Sequence, residues 1–382
     1  MPMRIAIVGA GPAGRYFALL TKRRLPTADV VIVERNPADA TFGFGVVFSE
    51  GALEFLRDGD GPTFAVLTRQ MESWSHQRIR HRGEDVDIDG NGFSAIGRLD
   101  LLRLLQDLCR QAGVVMRFDR QVLDLEEFAD RDLVVGADGV NSTVRQNAAR
   151  DLGPDFGTDI GAMSNYFVWY GTDRPFDRLT LSFVDTDHGP FVAHYYRYTP
   201  AMSTFIVECD ARTWNRAGFA GLDDAASRAA CEALFADDLG GHRLISNQSQ
   251  WRNFPVVTNR AWHRGNVVLI GDALRSVHFS IGSGTRLAME DAIALDAALA
   301  GADDDVGAGL AGFEAARRPV VEKILAAAAG SAGWYEAFGA RMHLGAYDFA
   351  YDYMTRSGRM GDDRLRRTAP QFAAAHAARA RR

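Results

Sequence analysis

The sequence has few cysteines, no long apolar run and no excess of positive charge. Its three cysteines, Cys109, Cys209 and Cys231, are too scattered for a disulfide framework or a zinc site, and they suit a reducing cytoplasm. No apolar stretch is long enough to span a membrane and no basic leader precedes one, so we expect a cytoplasmic protein that contacts no membrane. The formal net charge of −6 argues against a nucleic-acid partner. Without a cluster of histidine and cysteine, no metal site is expected.

The length and composition are those of a globular protein with a substantial core. The chain has 382 residues, of which 47% are hydrophobic and 24% charged. This length allows two packed domains, or one large domain with a lobe. Nothing in the pattern decides the oligomeric state.

A glycine-rich turn follows the first predicted strand. The apolar run Arg4–Val8 leads into Gly9-Ala-Gly-Pro-Ala-Gly14, and a helical pattern comes next. In such a turn the first glycine allows a tight bend, the second lets backbone approach a pyrophosphate, and the third lets helix pack on strand. The predicted nucleotide contacts are Gly9, Gly11, Pro12, Ala13 and Gly14.

A second predicted strand, Val30–Val33, ends in an acid. Glu34 lies twenty residues after Gly14, where a carboxylate accepts hydrogen bonds from ribose hydroxyls, and Arg35 follows it. The spacing therefore predicts a dinucleotide site. By itself it leaves FAD and NAD both open.

Three later segments carry further candidate contacts. Arg98 begins a helix whose leucines at 101, 104, 105 and 108 share one face. Asp138 follows a predicted strand at 132–136, and Asp272 follows another at 266–270. Ligands of open α/β sheets bind at such carboxyl ends of strands.

In this order the segments resemble the flavoprotein aromatic hydroxylases related to para-hydroxybenzoate hydroxylase. The resemblance implies FAD as cofactor, with Arg98 contacting it, Asp138 serving FAD and the passing nicotinamide nucleotide, and Asp272 binding the ribityl chain. The prolines usual after this last motif are replaced here by His278 and Phe279. The further FAD contacts that the resemblance implies are Gly45, Val46, Gly282, Gly284 and Thr285.

Less common segments resemble a narrower group, the salicylyl-CoA 5-hydroxylases and the monooxygenase half of 2-aminobenzoyl-CoA monooxygenase/reductase. These segments are 41–49, 271–282 and 354–359. The resemblance implies an NAD(P)H- and O2-using enzyme that converts salicylyl-CoA to gentisyl-CoA through a flavin C4a-hydroperoxide, so the expected partner is a small aromatic substrate, possibly CoA-linked. The choice between NADH and NADPH stays open.

Other functions stay open as alternatives. Segments 169–172, 202–209 and 251–254 also resemble the tryptophan-moiety hydroxylase of violacein biosynthesis, which implies hydroxylation of an indole- or tryptophan-derived metabolite. A non-catalytic flavin-fold binding protein and a flavin reductase or dehydrogenase that uses no oxygen are the remaining alternatives.

We predict an α/β fold with a Rossmann-like FAD-binding domain, an antiparallel β-sheet substrate domain and C-terminal helices. The predicted boundaries are 1–62, 96–160 and 262–308 for the FAD-binding domain, 63–95 and 161–261 for the substrate lobe, and 309–382 for the helical segment. Residues 379–382 are expected to form a solvated end.

The substrate lobe supplies the catalytic candidates. Aromatic and β-branched residues dominate its predicted strands, and Tyr195 is a candidate to line an aromatic ligand or, alternatively, to pack in the sheet. His278 is the candidate base for a substrate phenol, because imidazole titrates near neutrality. Arg275 is a weaker candidate to orient a carbonyl group.

The arginines at 78, 80 and 82 could hold CoA phosphates. We favour a charge-matched hairpin instead, with a turn at Gly83-Glu84 and residues 82, 80 and 78 paired with Asp85, Asp87 and Asp89.

Overall fold

A computed structural model describes residues 2–151 and 156–379, and residues 380–382 of the predicted solvated end lie outside them. The strands are β1 (Arg4–Val8), β2 (Asp29–Val33), β3 (Gly45–Ser49), β4 (Glu72–Trp74), β5 (Gln77–His81), β6 (Glu84–Ile88), β7 (Phe93–Gly97), β8 (Val115–Arg117), β9 (Leu133–Gly136), β10 (Thr158–Thr172), β11 (Leu179–Val184), β12 (Phe191–Thr199), β13 (Met202–Cys209), β14 (Leu244–Ile245), β15 (Arg252–Asn259), β16 (His263–Arg264) and β17 (Val267–Leu269). The helices are α1 (Pro12–Arg24), α2 (Glu54–Gly59), α3 (Gly61–Thr68), α4 (Arg98–Ala112), α5 (Thr143–Asp151), α6 (Ala211–Arg216), α7 (Asp224–Leu234), α8 (Ala236–Leu239), α9 (Gly284–Gly301), α10 (Val306–Glu336), α11 (Ala346–Thr355), α12 (Asp362–Thr368) and α13 (Pro370–Arg379).

The first sheet is built from short apolar strands in the order β16-β17-β9-β1-β2-β8. Its pairs are parallel except for the β16–β17 hairpin. Strands buried on both faces read as continuous apolar runs, and β1 and β2 do so after their first residues. The carboxyl ends of β1, β9 and β17 therefore meet at one edge, which places the glycine turn, Asp138 and Asp272 together.

The second sheet is largely antiparallel and has the order β14-β10-β13-β12-β11-β5-β6, with β15 also pairing with β10. A smaller sheet of order β3-β7-β4 contacts β12 of this second sheet, and its strand β7 also contacts α4. Two helices near the end of the chain pack on this sheet: α11 contacts β5 and β6, and α13 contacts β6. The predicted fold class, with its nucleotide-binding sheet, antiparallel sheet and C-terminal helices, is confirmed, while the domain boundaries stay a prediction. No helix of the described residues is long and apolar enough to cross a membrane.

The predicted charge-matched hairpin is present, but the predicted register was wrong by two residues. Arg78 lies opposite Asp87 and Arg80 opposite Asp85, with Nε–Oδ1 distances of 2.8 and 2.7 Å. The turn is formed by Arg82 and Gly83, at φ +53° and +77°. Positive φ at both central positions is the geometry of a type I′ hairpin turn, so the two-residue turn lies one residue earlier than the predicted Gly83-Glu84.

A buried carboxylate joins the nucleotide-binding sheet to two helices. Asp291 of α9 is fully buried, and its Oδ2 accepts hydrogen bonds from the backbone N–H of Gly271 at 3.0 Å and from Arg275 at 2.7 Å. Its Oδ1 accepts from Arg275 at 2.9 Å and from Arg317 of α10 at 3.1 Å. This network fixes the turn that carries Asp272 against α9 and α10.

We expect Asp291→Asn to destabilise the protein by about 3–5 kcal/mol, because it leaves the buried guanidinium of Arg275 without a carboxylate partner, whereas Arg317 keeps its ion pair with Glu290. The measurement is urea unfolding of the flavin-free protein. The control is Asp363→Asn, which removes an exposed ion pair with Arg366 and is expected to have little effect. Equal unfolding midpoints for the two variants would contradict this account.

Candidate functional site

Two adjoining cavities, formed by described residues, lie at the carboxyl ends of the nucleotide-binding strands. The smaller has a volume of about 290 Å³ and the larger about 700 Å³. Arg98 and Asp272 line both cavities. A long ligand can therefore extend from one cavity into the other past these two side chains.

The glycine turn forms the floor of the smaller cavity. Gly9 has φ +103°, and a Cβ there would lie 2.3 Å from the carbonyl oxygen of Ala137, so only glycine fits. At Gly11 the φ is −69° and the nearest atom to an added Cβ is 3.9 Å away, so open space faces this residue. Helix α1 starts at Pro12 with no side-chain cap, which leaves its first N–H groups free for a phosphate.

Glu34 stabilises the glycine turn and also lines the smaller cavity. Its Oε2 accepts a hydrogen bond from the N–H of Ala10 at 2.8 Å, and its Oε1 accepts from the backbone and side chain of Asn36 at 2.9 and 2.8 Å. Each carboxylate oxygen can accept more than one hydrogen bond, so the residue remains able to bind a ribose. Arg35 lines the same cavity.

Asp138 has a visible structural role at the start of α5. Its carboxylate accepts hydrogen bonds from Ser142 Oγ at 2.5 Å and from the N–H groups of Thr143 and Val144 at 2.7 and 3.1 Å. Enclosure raises the pKa of Asp138, although these hydrogen bonds oppose the shift. Its side chain lines the smaller cavity, so its implied contact with FAD stays a prediction.

Asp272 follows β17 and faces both cavities. Among the described residues no group donates a hydrogen bond to its carboxylate, which is thus available to a ligand's hydroxyls. Enclosure raises the pKa of Asp272, and the guanidinium of Arg98 opposes the shift. Beyond it, Gly282, Gly284 and Thr285 line the larger cavity at the start of α9. This donor and acceptor set fits FAD, with phosphates at α1 and the ribityl chain at Asp272.

The larger cavity has an aromatic and aliphatic wall contributed by the second sheet. Phe167 and Trp169 come from β10, Tyr196 from β12 and Ile206 from β13. Phe279, whose ring lies 4.9 Å from that of Phe167, completes the wall on the side of α9. Such a wall suits a planar aromatic ligand and excludes water from the space beside the flavin site.

A histidine backed by a buried acid lies in this wall. His194 lines the cavity, and its Nε2 is 3.6 Å from Oε2 of Glu208, which is 1% exposed. The other oxygen of Glu208 accepts a hydrogen bond from Asn165 Nδ2 at 2.9 Å. Burial alone would raise the pKa of Glu208, but the adjacent rings of His194 and His278 hold it below its usual value. The carboxylate therefore stays charged at neutral pH.

The structure places the predicted catalytic residues outside the cavity wall. His278 is buried beside Phe254 and Phe279, its Nδ1 accepts the N–H of Ser280 at 3.3 Å, and burial lowers its pKa. Arg275 is engaged with Asp291. Tyr195 points to the opposite face of the sheet, where its hydroxyl donates to Asp238 at 2.5 Å. The structure thus brings together the predicted flavin contacts but not these three side chains.

Sequence reasoning missed His194 and Glu208, and also the segment Arg120–Val122, which lines the smaller cavity after β8. One signal was available for the histidine. Side chains alternate along a strand, so His194 and Tyr196 had to share one face and Tyr195 the other. Which face meets the flavin site is decided by sheet packing, which the pattern does not contain.

Comparison with known proteins agrees with this geometry. Residues 3–328 match the family described as FAD binding domain. A salicyloyl-CoA 5-hydroxylase of Streptomyces sp is 42% identical over 93% of this chain and 70% of its own length. A 3-hydroxy-4-methyl-anthranilyl-[aryl-carrier protein] 5-monooxygenase of Streptosporangium sibiricum is 37% identical over 87% of this chain and 89% of its own. The crystal structure of P. aeruginosa PqsL in complex with 2-aminobenzoylacetate superposes with a TM-score of 0.70 at 22% identity, covering 91% of this chain and all of that one, which supports the fold.

We expect Gly11→Val to weaken FAD binding by ~10- to 100-fold, because an intruding side chain costs roughly 1–3 kcal/mol where a pyrophosphate has to approach. The flavin-free variant should melt like the parent, since no protein atom lies within 3.9 Å of the new Cβ. Flavin titration and thermal melting measure the two effects separately.

The control for this prediction is Gly312→Ala, an exposed glycine in α10 whose added Cβ would meet nothing within 4 Å. It should bind FAD like the parent. FAD affinity unchanged in Gly11→Val would place the pyrophosphate elsewhere.

Proposed function

This chain belongs to the family of FAD-binding aromatic monooxygenases, and from that premise we propose that it hydroxylates salicylyl-CoA at ring carbon 5, forming gentisyl-CoA. It is an FAD-dependent enzyme that uses NADH or NADPH as electron donor. The similarity to a relative named for this reaction supports the choice of substrate.

The observation that carries the proposal is the continuity of the larger cavity. It runs from Gly282 and Gly284, at the start of α9, to the aromatic wall that contains His194. An aromatic ring held against that wall lies beside the flavin site, and its hydroxyl can meet an imidazole. Bound FAD would supply the redox chemistry, taking two electrons from the nicotinamide and passing one oxygen atom of O2 to the ring.

His194 is the residue that we propose to accept the proton of the substrate hydroxyl. Glu208 faces Nε2, which favours the tautomer with its proton on that nitrogen, and Nδ1 then keeps a lone pair. Transfer of the phenolic proton to Nδ1 leaves a phenolate, which raises the electron density on the ring carbon para to the oxygen. In a salicylyl group this is carbon 5. The charged Glu208 stabilises the imidazolium that forms.

His278 is less suited to this task. Its Nδ1 already accepts a backbone N–H, so its remaining ring nitrogen carries the proton when the ring is neutral. Burial also disfavours its protonated form. Its ring instead packs behind the wall, next to Phe254 and Phe279.

We expect salicylyl-CoA to stimulate NAD(P)H consumption and to yield a product heavier by one oxygen atom. The measurement combines nicotinamide absorbance with product mass, using free salicylate, anthranilyl-CoA and an indole carboxylate as comparison substrates. Oxygen insertion into the indole but not into the thioesters would refute the proposed substrate and leave the ring-hydroxylating activity in place.

We expect His194→Asn to lower kcat by about 100-fold, the usual effect of losing a general base. Glu208→Gln should also lower kcat, but less, because the imidazolium that forms loses the carboxylate that faces it. Steady-state kinetics at equal flavin content measure both effects.

The matched variant is His278→Asn, which we expect to keep most of the activity if the protein remains folded. A larger fall in kcat for His278→Asn than for His194→Asn, at equal flavin content, would assign the proton acceptor to His278 instead.

A further inference from the structure

The mouth of the larger cavity carries positive charge without nearby countercharge. Arg252, Arg356, Arg359 and Arg364 line it, and all but Arg356 are exposed. Among the described lining residues the one carboxylate is Asp272, which lies on the flavin side near Arg98. The charged side chains that a ligand meets at this mouth are therefore all cationic.

Arg356 is held in place by neutral groups. Its Nε donates to Ser331 Oγ at 2.9 Å, and its terminal nitrogens donate to the carbonyl oxygens of Tyr353 at 2.7 Å and Ser280 at 2.9 Å. Its guanidinium also lies 3.6 Å from the ring centre of Tyr353. None of these contacts neutralises the charge, so the group presents a fixed cation beside the cavity.

Arg359 and Arg364 are likewise without an acidic partner among the described residues. Arg364 Nη1 donates to the backbone carbonyl oxygen of Arg359 at 3.3 Å, which holds the Arg364 guanidinium next to residue 359. The acids next to Arg364 are used elsewhere, since Asp362 accepts from the hydroxyl of Tyr351 and Asp363 pairs with Arg366.

This arrangement differs from that of Arg78 and Arg80 in the β5–β6 hairpin. Their guanidinium nitrogens lie 2.7–3.3 Å from aspartate oxygens on the facing strand. Like charges placed together without such partners repel, and a bound anion relieves the repulsion. Arginine binds phosphate with two parallel hydrogen bonds, so the mouth suits a phosphorylated group.

We propose that Arg359 and Arg364 bind the phosphates of the coenzyme A tail while the aryl group lies at His194, an inference that rests on the proposed function. The same cavity is also lined by Phe93, Met354 and Met360, and by the amide side chains of Gln77 and Asn91. Apolar surface interspersed with amides matches a pantetheine arm, which alternates methylene and amide groups.

The test is a double variant, Arg359→Gln/Arg364→Gln, assayed with salicylyl thioesters of coenzyme A, 4′-phosphopantetheine and pantetheine. We expect KM for the CoA thioester to rise ~10- to 100-fold, as lost charge-assisted hydrogen bonds imply, with little change in kcat. KM for pantetheine, which carries no phosphate, should stay within about twofold. If KM for the phosphopantetheine thioester rises as much as KM for the CoA thioester, the arginines bind the 4′-phosphate, which is the phosphate shared with carrier proteins. If KM rises only for the CoA thioester, they bind the adenosine phosphates.

The matched control is Arg366→Gln, which removes one positive charge from the same helix but from a residue that does not line the cavity. Its KM values should equal those of the parent. Equal rises of KM for all three thioesters, or no rise for any, would overturn the proposal. So would a rise confined to NADH or NADPH, since that result would assign the arginines to the nicotinamide nucleotide.

A second measurement separates this inference from the choice of substrate. Adenosine 3′,5′-bisphosphate should bind the parent enzyme in calorimetry and compete with the CoA thioester in the activity assay. The double variant should bind this bisphosphate too weakly to measure. If no thioester is hydroxylated but the bisphosphate binds through these arginines, the proposed substrate fails and the phosphate site stands. If the thioester is hydroxylated and the bisphosphate binds the parent and the double variant equally, the proposed substrate stands and the phosphate site at these arginines fails.

Discussion

The buried carboxylate of Asp291 is the group on which the placement of both cavities depends. It receives hydrogen bonds from the backbone of Gly271 and from the guanidinium groups of Arg275 and Arg317, which belong to separate segments of the chain. A buried charge is tolerated only when such partners surround it. The turn after β17 is thereby locked to α9 and α10, and Asp272, the next residue, is held at the junction of the two cavities.

From that junction the surroundings change along the larger cavity. The flavin side has backbone groups and the Arg98–Asp272 pair, the middle has an aromatic wall with one histidine, and the mouth has arginines without acids. The flavin side suits the oxidising cofactor, the middle suits the aryl group of a thioester, and the mouth suits its phosphorylated tail. Arg252 lies over this wall, 5.5 Å from the ring centre of Phe167, and the rest of the wall apart from His194 is aromatic or aliphatic. Such a wall favours a water-poor space, where oxygen transfer has to outcompete loss to solvent.

Much of the fold was predictable because its signals are local. Strand β1 has the bounds of the predicted run Arg4–Val8, and helix α4 begins at Arg98 with Leu101, Leu104 and Leu105 buried as its spacing predicts. For the β5–β6 hairpin, the sequence predicts the charge-matched pairing of the two strands correctly, but not which residues lie opposite each other. The charge pattern is compatible with two registers, and in the one that forms the two-residue turn is Arg82-Gly83.

The sequence by itself determined the nucleotide site, because each of its requirements is met within a few residues: a glycine where φ is positive, an open helix start, and an acid at the end of a strand. The tertiary structure alone decided the substrate side. Residues 194, 208 and 356–364 come from two strands of one sheet and from helices at the other end of the chain, and no local pattern states that these segments meet. Their meeting depends on how the second sheet packs against α10 and α11, and this packing turns His194 toward the larger cavity and Tyr195 away from it.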